Sequence, residues 1–187
     1  MKKLNFKQIW KWTTNLLLVV IILILIVPSW RVSFQGWFRG IFLSDAEFVQ
    51  SSLIETNPEV RNWGFWNMDE KLTVFNELEG KPTLLSFWAT WCGPCRAELK
   101  ELKQMKAEMK DEIQIVAVST EPLEVIKDSG LPEDYNFLYF STETPAQLEF
   151  SSYPTLYIID SELQIVHKSV GASNLNTEEN INFLRQL

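Results

Sequence analysis

The sequence predicts an α/β sandwich built on a central mixed sheet, with a β-hairpin at its N-terminal end and one transmembrane helix ahead of it. Three observations carry this. Leu16–Val27 is a run of twelve apolar residues without a break. Strand-length apolar runs then alternate with a helical pattern, in the order Thr83–Ala89, Pro94–Lys110, Ile113–Val118, and such alternation builds layered α/β domains. Last, two strand-like runs, Thr155–Asp160 and Leu163–Val170, are joined by the Ser161-Glu162 turn.

A chain of 187 residues leaves room for one globular domain and an anchor. The divisions expected are a cytoplasmic N-terminus over 1–11, a transmembrane anchor over 12–30, a tether over 31–62 and the α/β domain over 63–187. The twelve-residue run alone reaches about 18 Å as a helix, short of a bilayer core of about 30 Å. Extended to Trp12–Trp30 it reaches about 28 Å, enough to cross. Trp10, Trp12 and Trp30 then fall at interfacial depth. Lys2, Lys3, Lys7 and Lys11 precede the span with no acid among them. That asymmetry places the N-terminus in the cytoplasm and the domain outside it, in the periplasm or its equivalent. A cleaved signal peptide is the main alternative and a buried helix of a soluble fold the lesser one. Pro28, Trp30 and Arg31 crowd the best cleavage point after Ser29, and no A-x-A pattern is present.

The charge balance excludes one class of partner. From residue 41 onward there are 11 basic residues against 24 acids, a net charge of −13. A body this acidic repels phosphate backbones, so nucleic-acid binding is not expected.

The elements follow in order. Residues 31 to about 60 read as a tether with short apolar pieces such as Trp37-Phe38. These can lie along the membrane as an amphipathic helix or pack on the domain. Trp63–Trp66 and Leu72–Phe75 flank a polar stretch and suggest a hairpin. Gly80-Lys81-Pro82 is a turn, and Thr83–Ala89 a buried strand. In the helix Pro94–Lys110, Leu99, Leu102, Met105 and Met109 share one face, while Lys100, Lys103, Lys106 and Lys110 follow a parallel stripe. Ile113–Val118 is the next strand, Pro122–Asp128 a short helix, Phe137–Phe140 a short strand and Ala146–Phe150 a turn or two. Asn176–Leu187 is a terminal helix capped by Asn176 or Thr177.

The chain has only two cysteines, in Trp91-Cys92-Gly93-Pro94-Cys95. A disulfide-stapled secreted fold needs more, and more widely spaced, so this pair reads as reactive. It lies where a buried strand ends and a helix opens. The first helical turn offers unpaired N–H groups and the positive end of the helix dipole. A thiolate at Cys92 is stabilised there, and its pKa is expected below the free value. The thiolate is the form that attacks disulfides. Pro94 tolerates the first turn because it has no N–H to leave unpaired. Gly93 adds no side chain over the sulfur. Residues at i and i+3 of a helix lie about 5–6 Å apart, within reach of a disulfide. Cys92 is therefore the attacking sulfur and Cys95, facing inward, the resolving one. Trp91 forms part of the rim.

Other readings of the pair are weaker. A structural zinc site needs four ligands, and only His167 and carboxylates remain to join the two cysteines. Copper binding would require His167 to reach the motif from a late strand. A purely structural disulfide between neighbours closes a tiny loop and adds little stability. No metal and no cofactor is expected.

The segment Ser86–Arg96, SFWATWCGPCR, resembles the thioredoxin active site. With the anchor, the 63–75 hairpin and Tyr153-Pro154-Thr155, the chain resembles the TlpA/ResA-like branch of membrane-anchored thioredoxin-like proteins of the bacterial cell envelope. The resemblance covers about 63–187. It implies a thioredoxin-like sandwich and a thiol–disulfide oxidoreductase acting on envelope proteins through a Cys92 mixed disulfide that Cys95 resolves. It implies reduction rather than oxidation, with protein thiols and disulfides of the cell envelope as partners and a membrane electron donor or redox partner. It places Pro154 at the family's cis-proline, facing the disulfide, with Tyr153 beside it contacting the substrate chain. Glu98 takes the position where this branch often carries an acid near the cysteines. Its spacing alone also suits a solvated surface glutamate. The sequence departs from cytosolic thioredoxins in one respect: Ser86 stands where a buried acid is expected in the strand before the motif. His167 reads as a solvent-facing strand residue. A peroxiredoxin-like peroxidase would need a P-x-x-x-T-x-x-C setting, and the sequence before Cys92 does not supply it.

Overall fold

The structure is a computed structural model that describes residues 12–16, 48 and 53–187. Residues 12–16 are helical; the rest of the expected 12–30 span, and most of the 31–62 tether, lie outside the described residues. Among the described residues no helix is long and apolar enough to cross a membrane.

Among the described residues eight strands form one sheet. They are β1 (Ile54–Glu55), β2 (Gly64–Asn67), β3 (Leu72–Val74), β4 (Thr83–Phe87), β5 (Gln114–Ser119), β6 (Leu138–Phe140), β7 (Thr155–Ile159) and β8 (Gln164–Val170). Their order is β1-β8-β7-β4-β5-β6-β2-β3. β4, β5 and β6 run parallel to one another, and every other pairing is antiparallel. The sheet is thus mixed, as the sequence predicts. Beyond the helical residues 12–16, the α-helices among the described residues are α1 (Pro58–Arg61), α2 (Gly93–Met109), α3 (Leu123–Asp128) and α4 (Glu178–Leu184).

β4 explains why the sheet is covered on both sides. All five residues, Thr83 to Phe87, are buried. Leu84 joins a cluster with Leu99, Leu102, Met105 and Met109 of α2, Ile126 of α3 and Ile181 and Leu184 of α4. Leu85 and Phe87 join a second cluster with Trp63, Phe65 and Phe75 of the hairpin region. Successive residues of a strand face opposite sides, so an apolar run without alternation belongs at the centre of a three-layer arrangement. The 3.6-residue periodicity of α2 is borne out, since its four apolar positions are all buried. Its lysines stay outside, with Lys103 and Lys106 lying over the Tyr135 and Phe137 rings. Thr177 is the cap of α4, its hydroxyl accepting from the Asn180 N–H.

Two differences concern the segment expected as tether. Ile54–Glu55 adds an edge strand to β8, and Pro58–Arg61 forms a helical turn capped by Asn57. Upstream, Phe48 is buried against His167 and Phe183, and its N–H donates to Asn180 Oδ1 at 2.9 Å. His167 is therefore half-buried beside Phe48 rather than a solvent-facing strand residue. Asn180 is itself fully buried, and its Nδ2 donates to Leu175 O. Asn180→Ala leaves Phe48 N and Leu175 O without these bonds. The expected cost is about 2 kcal/mol, measured as a lower urea midpoint, together with faster proteolysis around Phe48.

Candidate active site

The two cysteines meet where α2 leaves the sheet. β4 ends at Phe87, and the intervening loop is tied to β5 by Trp88 N–H to Val118 O and Trp88 Nε1 to Ala117 O. Cys92 is the N-cap of α2, and its Sγ accepts from Cys95 N at 3.2 Å. The sulfur thus meets one of the N–H groups that a helix start leaves unpaired. Pro94 sits in the first turn, where it interrupts no bond. Cys92 and Cys95 are joined as a disulfide, with Cα atoms 5.3 Å apart. Cys95 is fully buried, while Cys92 keeps a small accessible surface. Beside them Trp91 is strongly exposed.

Trp91 does not stand free. Its ring meets the Tyr153 ring edge-on at 5.6 Å, and Tyr153 in turn lies 5.1 Å from Phe150. The Tyr153-Pro154 peptide bond is cis. Pro154 is buried, and its carbonyl accepts from Gly171 N at 2.8 Å. Gly171 has φ +93°, a conformation that favours glycine. This bond carries Val170, at the end of β8 and well exposed, to the side of Pro154. Trp91, Tyr153 and Val170 thus expose apolar surface around two loops, the 88–92 loop after β4 and the loop that ends at Pro154 before β7.

Glu98 is not on the helix surface. It is 1% exposed, and Ser86 Oγ donates to its Oε1 at 2.6 Å. Burial pushes its carboxyl up from 4.5 to about 7, with the Ser86 hydrogen bond acting the other way. The serine that replaces the expected strand acid is thus the partner of an acid supplied from α2, one turn after Cys95. The pair bridges β4 and α2.

The structure adds residues that were not singled out in the sequence. Glu121 accepts from Thr90 N at 2.7 Å and from Thr90 Oγ1 at 2.8 Å. Thr120 Oγ1 lies 3.2 Å from Tyr153 OH. Both follow β5 directly. In parallel α/β sheets the loops at the C-terminal ends of strands gather into one site. The Thr-Glu pair after the 113–118 run carried that signal.

Comparison with known proteins agrees with the geometry. The model of the AhpC/TSA family matches residues 59–168. The thiol-disulfide oxidoreductase ResA of Oceanobacillus iheyensis is 32% identical over 118 residues, which cover 60% of this chain and 61% of that protein. The thioredoxin-like protein YneN of Bacillus subtilis is 25% identical over 178 residues, 84% of this chain and 89% of that one. Among solved structures, a putative thiol:disulfide interchange protein DsbE from Chlorobium tepidum covers 71% of this chain and 94% of its own, with 22% identity and a TM-score of 0.55. The fold is thioredoxin-like, and with its family model spanning more than half of the sequence the chain belongs to the AhpC/TSA family.

Proposed function

We propose that the chain reduces disulfides of cell-envelope proteins from a membrane-anchored position. It is a thiol–disulfide oxidoreductase, and one observation carries that reading: a cysteine pair within disulfide reach at a helix start, flanked by exposed aromatic surface. The names of the relatives support the same chemistry.

In the reductive direction Cys92 attacks as the thiolate, favoured by the Cys95 N–H and the positive helix end. It bonds to one substrate sulfur while the substrate disulfide breaks. The released substrate thiolate takes up a proton. Cys95 then loses its proton and attacks Cys92 Sγ, the mixed disulfide breaks, and the second substrate thiol leaves. Two electrons have passed to the substrate, and the pair ends as the Cys92–Cys95 disulfide. A membrane dithiol donor returns it to the reduced form.

Glu98 serves as the proton store for Cys95. A carboxyl that titrates near neutrality can accept and return a proton at working pH. Trp91, Gly93 and Pro94 shape the approach to Cys92. Tyr153 and Pro154 line the side on which the substrate chain lies. The 12–30 span supplies the anchor, a reading supported by its apolar length and flanking lysines.

The test uses the full chain in detergent. With dithiothreitol supplied as the electron donor, it is expected to speed insulin reduction over the rate with dithiothreitol alone and to leave the rate of hydrogen peroxide loss unchanged. Peroxide consumption with no insulin reduction would replace this reading with that of a peroxidase.

A further inference from the structure

The loop after β5 joins the two halves of the site. Glu121 uses both carboxylate oxygens on Thr90, through the backbone N–H and the hydroxyl. The same carboxylate accepts from Ser119 Oγ at 3.1 Å, and Glu121 N donates back to that hydroxyl. From the other side Arg96 Nη2 donates to Thr90 O at 3.3 Å. Thr90, next to Trp91, is thus held at its N–H, its carbonyl and its hydroxyl. The adjacent Thr120 bonds Tyr153 OH, and Tyr153 closes on Trp91. The chain of contacts Thr90–Glu121–Thr120–Tyr153–Trp91 returns to its start and spans both loops beside the disulfide.

We infer that Glu121 is a positioning residue that sets the opening between Trp91 and Tyr153 and so governs the docking of protein disulfides, as distinct from the exchange chemistry at Cys92. The inference rests on the disulfide-exchange reading above. Its physical basis is that one side chain meets Thr90 at both its N–H and its hydroxyl, a two-point contact that fixes orientation as well as distance. Two donors of Thr90 meet this carboxylate, Ser119 Oγ holds the carboxylate itself, and Arg96 holds Thr90 O, so the residue next to Trp91 is fixed from both sides. A small disulfide needs only the sulfur, whereas a folded or extended protein chain must also fit the aromatic walls.

The experiment compares full-length wild type, Glu121→Ala and Glu121→Gln, with insulin and hydroxyethyl disulfide as substrates. Glu121→Ala is expected to raise KM for insulin about tenfold while hydroxyethyl disulfide turnover stays within about twofold of wild type. Glu121→Gln keeps an acceptor for Thr90 N and gains a donor for Thr90 Oγ1. It is expected to recover most of the insulin KM. An unchanged insulin KM in Glu121→Ala overturns the inference, as does an equal loss on both substrates. Should Glu121→Ala fail to fold, Thr90→Val, which removes only the hydroxyl bond, is measured in the same way. It is expected to give an intermediate insulin KM, and a wild-type value overturns the inference. Amide exchange at Thr90 is read in parallel. Faster exchange in Glu121→Ala supports the brace and unchanged exchange contradicts it. A wild type that reduces neither substrate defeats the underlying function instead, and leaves the exchange measurement to judge the brace.

Discussion

Cys92→Ser is expected to lower insulin reduction by about a thousandfold or more while the protein still folds. The reason is that the first covalent bond to substrate forms at this sulfur, and a serine hydroxyl stays un-ionised near neutral pH. The fold does not depend on it. The pair closes a loop of very few residues, and a short loop contributes little chain-entropy stabilisation. Oxygen can still accept from Cys95 N and cap α2, since serine is itself a favoured cap. The measurement is insulin turnover alongside a thermal melt of the variant under reducing conditions against reduced wild type. Retained turnover in a folded Cys92→Ser chain would move the chemistry elsewhere.

Glu98→Gln is expected to change how stability depends on pH. In wild type the folded carboxyl titrates at about 7, against 4.5 when unfolded. Between those values the folded state holds the proton more often, so stability falls as pH rises through that window. Below 4.5 both states are protonated and the penalty is absent; above 7 it is complete. A rise from 4.5 to about 7 corresponds to roughly 3 kcal/mol. Glutamine keeps an acceptor oxygen for Ser86 Oγ without a charge to bury. The variant is therefore expected to be the more stable form at pH 8, and its advantage to shrink as pH falls toward 5. Urea denaturation of both proteins across this range checks the sign. A constant difference between them at every pH would show that Glu98 is not the group responsible. If Glu98 also holds the proton of Cys95, the pH profile of insulin reduction shifts in the same variant.

What could be read from the sequence follows from how local each signal is. The motif, the Pro94 turn and the four-residue apolar face of α2 all lie within one continuous segment, so periodicity and capping rules reach them. The Thr83–Ala89 run showed burial on both faces because no polar residue alternates with the apolar ones. The sequence also shows Ser86 where an acid is expected. It does not show that Glu98, twelve positions later, turns inward to meet it. That contact depends on how α2 lies across β4. Spacing alone allowed Glu98 on the surface, and burial decided otherwise. Glu121 and Thr90 are 31 residues apart and meet only because β4 and β5 are parallel neighbours. Phe48 offered no periodic signal, being a single aromatic whose burial is created by α4 and β8. β1 is two residues long and gains its definition from pairing with β8. Its own composition carries no strand pattern.

The central claim is that Cys92 alone makes the covalent bond to a protein substrate and that Cys95 releases it. The direct measurement is mass spectrometry of the reduced full-length Cys95→Ala chain after incubation with insulin. The account predicts a stable mixed disulfide, one per chain, mapped to Cys92 and dissolved by dithiothreitol. Recovery of the chain with no covalent adduct, under conditions in which wild type turns insulin over, would contradict it.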